Sequence, residues 1–311
     1  MEHIGVAVLA TAVAVDLAVG DAPNPLHPVY WLGKLISLET RLAPRRGQVA
    51  QVVYGTAMVI ATTGIVTAGV YFLLDYIRDA DARAINTGLY IVVAGMLLKL
   101  SFSIRGLNRL ARRVRASLED GDRDEARGWV SHLVSRDTSR LDEPHLVSAT
   151  VESVSESACD SFVAPLMYFA IFGVPGAVAY RVVNTFDSMM GYHGRFEYLG
   201  KFAARLDDLA NLVPARLTAL LIVVAAFICR RNPRRAWRTM TRDSGKTESP
   251  NAGWPMSAAA GALGVQLEKE GCYSLGDPVE RLTASTIVLA LGLANTAIVF
   301  WAVVCLGVEV V

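Results

Sequence analysis

The chain has 311 residues, 53% hydrophobic and 19% charged, with a mean hydropathy of +0.37 and a formal net charge of +1. A soluble globular domain carries about 25% charged residues, and here the apolar excess gathers in stretches of about 17–26 residues, the length of a bilayer-spanning helix. These figures exclude an ordinary soluble enzyme, a disordered chain and a secreted disulfide scaffold, and they leave no general nucleic-acid footprint.

In chain order, membrane segments are expected at 4–19, 49–74, 85–104, 162–183, 214–229 and 284–308. The first lacks a basic leader and carries Asp16, so a cleaved signal peptide is not expected. Pro165, Gly173 and Pro175 predict that 162–183 is broken or re-entrant. The sequence thus predicts an all-α, polytopic integral membrane protein with five or six membrane segments. It is expected to form a single domain (1–311), with large polar loops at 105–161, 184–213 and 230–283 and amphipathic loop helices. The loops 105–161 and 230–283 carry nine Lys and Arg each, against only Arg78 and Arg83 in 75–84, which places most polar mass on the cytoplasmic side. The side taken by 184–213 stays open. Cys159, Cys229, Cys272 and Cys305 show no CxxC and no His at ligand spacing, and read as small buried apolar residues.

Leu107, Leu110, Val114 and Leu118 make one helical stripe opposed by Arg105, Arg109, Arg112, Arg113 and Arg115, the pattern of a helix lying on anionic headgroups. Leu199, Phe202, Leu206, Leu209 and Val213 make a second, with Lys201, Arg205, Asp207, Asp208 and Asn211 on its polar side.

The chemistry-bearing stretches are few. In SRDTSRLDEPHLVSATVESVSESACD (135–160), Pro144 suits a first helical turn, and Asp142 and Glu143 suit its dipole. Glu152, Glu156 and Asp160 follow at i, i+4 and i+8 on one face. Such carboxylates repel by about a few tenths of a kcal/mol per pair. A positive partner is therefore expected, either a divalent ion, with Mg²⁺ arriving on phosphates, or the arginines upstream; a solvated face is the plainer reading. Arg136, Asp137, Thr138 and Arg140 suit bidentate phosphate binding or a helix cap with surface ion pairs. In 184–216, Asn184 and Asp187 end an apolar segment, Gly191 and Gly194 free the backbone, and Asp207, Asp208, Asn211 and Arg216 follow. Interfacial charge of this density marks a functional site or helix–helix hydrogen bonding. SGKT (244–247) imitates the end of a phosphate-binding loop, but Met240 stands where its first glycine belongs and no strand precedes it. Gly253, Gly261 and Gly264 allow tight packing in 247–264. GDAPNPLHPVYWLG (20–33) is a rigid loop whose Tyr30 and Trp31 suit an interfacial anchor or stacking on a flat ligand.

Five motifs in order, GDAPNPLHPVYWLG, SRDT followed by ESVSESACD, NTFDSMMGY, ARLDDLANLVPARLT and SPNAGWPMSAAAGALGV, resemble the CobD/CbiB family, adenosylcobinamide-phosphate synthase of cobalamin biosynthesis. The resemblance implies a multi-pass enzyme of the cell membrane. It would join adenosylcobyric acid to an amino-alcohol phosphate (aminopropanol or ethanolamine phosphate) by an amide bond, using ATP and Mg²⁺. It implies Glu152, Glu156 and Asp160 as Mg²⁺ ligands, and Glu152, Glu156, Asp187 and Asp208 as catalytic groups. Phosphate or nucleotide contacts would come from Arg136, Asp137, Thr138, Arg140, Asn184, Arg205, Asn211, Arg216, Ser249 and Asn251. His27, Tyr30, Trp31, Tyr192 and Trp254 would face the corrinoid. Ser157, Ser161 and Met256 depart from the Asn, Gly and acid that the family pattern leads one to expect. Expected partners are the two substrates and the bilayer, with a homo-oligomer or a complex with other late cobalamin-pathway membrane enzymes, and no nucleic acid. The rival readings are a transporter, since intramembrane charge also marks ion paths, and an AmpE-like signalling or scaffold protein on the same fold. Against a transporter, most charge lies in loops and no repeated halves are found.

Overall fold

Aliphatic runs closed by Gly, Pro or charge set the helix lengths in the computed structural model, which describes residues 4–21, 25, 27–79, 83–191, 194 and 196–309. The helices are α1 (Ile4–Ala18), α2 (Pro28–Leu42), α3 (Gln48–Asp79), α4 (Arg83–Lys99), α5 (Ile104–Glu119), α6 (Arg123–Val130) and α7 (Glu143–Ala158). After a π-turn at Cys159–Val163 come α8 (Ala164–Met190), α9 (Lys201–Ala210), α10 (Leu212–Ile228), α11 (Pro233–Asp243), α12 (Gly253–Leu263) and α13 (Ala284–Val308). The strands β1 (Leu267–Lys269) and β2 (Tyr273–Leu275) form one antiparallel hairpin. Among the described residues, four helical stretches are long and apolar enough to cross a membrane: Gln48–Asp79, Asn86–Glu119, Glu143–Met190 and Ala284–Val308. The pair Lys201–Ala210 and Leu212–Ile228 raises this to five if taken as one broken span. The protein is all-α and polytopic. Within the stretch Asn86–Glu119 the helix is interrupted between Lys99 and Ile104, where the Lys99 ammonium donates to the Phe102 carbonyl (3.2 Å).

Where the sequence reads as one domain with polar loops, the chain divides into two compact units. The first comprises Met1–Ser103, Ala164–Ala210 and Cys305–Val311. Ile36 from α2, Met58 and Val59 from α3, Val182, Phe186 and Met190 from α8, and Ala203 from α9 form a core there. The break expected in 162–183 is present: Gly173 has φ 67° and ψ −166°, a conformation essentially reserved for glycine, and Pro175 follows. Pro165 is buried at the second position of α8, directly after the π-turn at Cys159–Val163. The second amphipathic stripe holds in its first half, where Leu199 is in this core and Phe202 and Leu206 pack against it, and is corrected in its second. Leu209 and Val213 are 68% and 58% exposed, whereas Asp207 and Asn211, expected on the polar side, are buried.

The second unit comprises Ile104–Val163 and Asn211–Val304, so the long polar stretches 105–161 and 230–283 are folded structure. The lipid-surface reading of α5 is corrected as well. Ala111, Val114 and Leu118 are buried in a protein core shared with α6, α7, α10, α12 and α13, and Arg113 stacks on Trp129 at 4.3 Å. Asp122 caps α6 and Asp142 caps α7, with Pro144 in its first turn as expected. The small-residue helix α12 lets α11 approach: a Cβ on Gly261 would strike the Arg235 carbonyl, and Gly264 closes α12 at φ 74°. Cys159 and Cys305 are buried and Cys229 half-buried, but Cys272 is exposed at the hairpin tip, contrary to expectation; all four are free thiols.

Candidate functional site

Two polar constellations stand out, one in each unit. In the second unit, Asp142 accepts hydrogen bonds from the His145 N–H (3.1 Å) and ring (2.5 Å). Burial pushes the Asp142 carboxyl up, but these bonds outweigh it and hold it below the usual range. Two turns further along α7, Glu152 is 4% exposed. A buried carboxylate is costly unless paired and hydrogen-bonded. Here Oε1 accepts from the Ser148 hydroxyl (2.7 Å), Oε2 accepts from the Tyr273 hydroxyl (2.8 Å), and the Arg136 guanidinium lies at 3.3 Å. Burial first, and then the Glu152 charge, pushes the Tyr273 phenol far up, so it remains a donor. Ser148 also accepts from the Glu268 N–H (2.8 Å), pinning β1 to α7.

Glu156 is exposed one turn on, and Asp160 lies half-buried in the π-turn. Such turns are frequent at functional sites. Cys159 directs its thiol to the Asn211 side-chain oxygen at 3.9 Å. Arg216, in the first turns of α10, donates to the Leu212 carbonyl (2.6 Å) and the Asn251 side chain (3.2 Å) and stacks over Trp254 at 4.7 Å, a cation–π contact. Ser249 accepts from the Asn251 and Ala252 N–H groups and shapes the start of α12. The structure thus brings Arg216, Asn251 and Trp254 together, and separately Arg136 and Glu152. Asp137 accepts from the Ser139 N–H and hydroxyl in an exposed turn, and these bonds hold its carboxyl low. Thr138 is buried against the Arg127 carbonyl, and Arg140 is exposed.

The expected metal set does not converge. Among the described residues no group of three or more His, Cys, Asp or Glu side chains is placed to hold a metal ion, and the Glu152 oxygens already accept from three protein donors. An ion at Glu156 and Asp160 would draw its remaining ligands from water or substrate phosphate, the usual habit of Mg²⁺.

In the first unit, Asn184 is buried on α8, accepts from Arg181 (3.3 Å) and donates to Asp207 (3.3 Å). Asp187 lies one turn further, and Gly191 leaves room for its carboxylate, which a Cβ would strike. Asp208 is half-buried and Arg205 exposed on α9. His27 caps α2 by accepting from the Val29 N–H (3.2 Å), and burial lowers its ring pKa, keeping it neutral. Tyr30 and Trp31 meet edge to face at 5.7 Å, with Trp31 60% exposed and Lys34 over the Tyr30 ring. Tyr192 lies outside the described residues.

Sequence reasoning missed three features. Tyr273 is one. The second is Lys99, buried between Asp16 (2.7 Å) and Asp21 (2.6 Å); an ionisable pair inside apolar segments was the available signal. The Asp21 carboxyl, pushed up by burial, is held low by Lys99 and Ser103. The third is Asp243, whose buried carboxyl accepts from Arg242 (2.8 Å), Lys246 (2.6 Å) and the Gly276 N–H (2.8 Å). Lys246 of the SGKT stretch is thus ion-paired, in a 3₁₀ turn that follows α11 with no strand before it.

The family model described as CobD/Cbib protein matches residues 9–296. The chain belongs to the CobD/CbiB family. Within it, the chain is 52% identical over 297 residues, 96% of its length and 95% of the relative's, to a protein of Dehalococcoides mccartyi named cobalamin biosynthesis protein CobD. It is 39% identical, over 98% of both chains, to a probable cobalamin biosynthesis protein CobD of Methanothermobacter thermautotrophicus. A cobalamin biosynthesis protein CobD of Geobacter metallireducens is 41% identical over 90% of this chain and 89% of that one. No solved structure matches.

Proposed function

We propose that this chain acts in cobalamin biosynthesis as an ATP- and Mg²⁺-dependent ligase of the cytoplasmic membrane. It would join a propionate of adenosylcobyric acid to an amino-alcohol phosphate and release adenosylcobinamide phosphate. Family membership over nearly the whole chain supports the pathway. The observation that carries the chemistry is the Arg216–Asn251–Trp254 group, a cation held by its neighbours beside a flat aromatic surface. In the reaction the propionate oxygen attacks the γ-phosphorus of ATP, giving an acyl phosphate and ADP. The amine then attacks the acyl carbon, a proton leaves the nitrogen and phosphate departs. Such a step needs fixed cations for the phosphates and a positioned, unprotonated amine.

Arg216 and Asn251 would hold phosphate, with Arg140 as a further exposed cation of the same unit. Trp254, beside Arg216 in the same unit, would meet the corrinoid. Mg²⁺ brought by the nucleotide would supply charge neutralisation, with Glu156 and Asp160 as the carboxylates proposed to hold it. Glu152 acts by holding Arg136 and Tyr273.

The test uses solubilised protein with adenosylcobyric acid, aminopropanol phosphate and Mg-ATP, following corrinoid mass and ADP release. Amidated product only with all components present is expected, with Glu156→Gln and Arg216→Ala folded but at least about 100-fold slower, as for a lost transition-state contact. No product from the complete mixture overturns the ligase reading. Full activity in Glu156→Gln overturns its place in the site.

A further inference from the structure

The apolar helix α10 ends at Ile228 and gives way to Arg230-Arg231-Asn232-Pro233-Arg234-Arg235. Arg230 has φ 53°, a left-handed turn residue that folds the chain back so that Asn232 caps α11 by accepting from the Arg235 N–H (2.9 Å). The start of α13 lies on the same cleft. There Thr283 donates its N–H to the Thr286 hydroxyl (3.1 Å), and the Ser285 hydroxyl lies 2.8 Å from that of Thr283. The cleft has a volume of about 1020 Å³. Arg230, Arg231, Arg234, Arg235 and Arg281 line it, against a single acid, Glu280. Arg235 is committed to the Gly261 carbonyl (2.7 Å), whereas Arg230, Arg231, Arg234 and Arg281 are exposed.

Basic residues flanking an apolar helix satisfy the charge rule of membrane topology, but that rule asks only for charge on one flank. Here the N-terminal ends of an 11-residue and a 25-residue helix, both positive dipole ends, meet three hydroxyl-bearing residues and five guanidinium groups in one concavity. Guanidinium forks match phosphate oxygens in pairs. Val279 and Leu289 add apolar wall to the same cleft. We infer that this cleft is a binding site for a phosphate-bearing anion, separate from the Arg136 and Arg216 groups assigned to the reaction. The phosphate is either a lipid headgroup or a free phosphate.

The test is thermal unfolding of the full protein in a non-ionic detergent, at ionic strength fixed with potassium chloride. Inorganic pyrophosphate is one probe, and short-chain phosphatidylglycerol, compared with phosphatidylcholine, the other. A saturable upward shift with phosphatidylglycerol alone assigns a lipid headgroup, and a shift with both phosphatidylglycerol and pyrophosphate, or with pyrophosphate alone, assigns the phosphate group itself. Replacing three exposed cations (Arg230→Gln, Arg234→Gln and Arg281→Gln together) is expected to weaken the apparent affinity at least about tenfold, a loss of about 1.4 kcal/mol. Arg281→Gln alone, at a surface position outside the helices, is expected to weaken it several-fold and decides the matter if the triple variant does not fold. Unchanged affinity in the variants overturns the inference. So does the absence of any shift with either probe, or loss of the shift in Arg216→Ala instead.

Discussion

Glu152 shows how a single buried carboxylate organises its surroundings. It fixes the orientation of Arg136, keeps the Tyr273 proton in place, and through Ser148 belongs to the network that ties the hairpin to α7. Removing one member of such a set leaves the others buried and unpaired. Glu152→Ala is therefore expected to cost about 3–5 kcal/mol, and Tyr273→Phe about 1–2 kcal/mol, read as lowered midpoints in detergent unfolding. Equal midpoints for Tyr273→Phe and wild type would mean that the phenol is not a donor. Asp243 gives a pH-dependent counterpart. Burial pushes its carboxyl up, but Arg242, Lys246 and the Gly276 N–H outweigh burial and hold it at about 2, below its ordinary value of 3.8. A carboxylate depressed in the folded state stabilises above its unfolded pKa and loses that contribution as pH falls through the folded one. The contribution is about 1–2 kcal/mol at neutral pH, discounted for the half-exposed cations. Asp243→Asn should thus lie below wild type by a constant margin from pH 8 to about 5, and the margin should close between about pH 4 and 2. A margin independent of pH over that whole range would contradict the assignment. Neither network was legible in the sequence. Glu152 and Tyr273 stand 121 residues apart, and no local periodicity links them.

At the scale of elements, what depends on neighbours in sequence could be read and what depends on partners in space could not. The start of α7 was legible because its cap, its proline and its acid sit within three residues of one another. The break in α8 was legible because Gly173 and Pro175 interrupt a helix wherever they fall. The outward face of α9 was not. Asp207 is turned inward by Asn184, 23 residues upstream, against the stripe that its own helix presents. The same holds for α5, whose arginine-flanked stripe resembles a lipid-surface helix until the core of its unit covers it. The Gly173 conformation yields a direct test. Gly173→Ala is expected to destabilise by about 1–3 kcal/mol, the cost of forcing a Cβ into that backbone region, whereas Gly64→Ala, in open space on α3, should leave the melting point unchanged or raise it. A neutral Gly173→Ala would mean that the two halves of α8 are joined without the kink.

For the molecule as a whole, the division into two units was hidden by the alternation of apolar and polar stretches, which reads as spans joined by loops. Lys99 of α4 shows what anchors the first unit. With Asp16 fully buried at 2.7 Å from its ammonium, the double variant Lys99→Met with Asp16→Leu is expected to cost less than the sum of the two single variants. A double-mutant cycle should give a coupling of about 1–3 kcal/mol, and strict additivity would show that the pair is not one interaction. Each unit is also assembled from stretches distant in sequence: the first needs Cys305–Val311 and the second needs both Ile104–Val163 and Asn211–Val304. At about 5–20 residues per second of synthesis, Ile104–Val163 leaves the ribosome roughly 10 s before its partner stretch is complete. Folding therefore cannot proceed unit by unit from the amino end. In that interval α5, α6 and α7 can pack only on one another, and the faces that they turn to α10, α12 and α13 have no native cover.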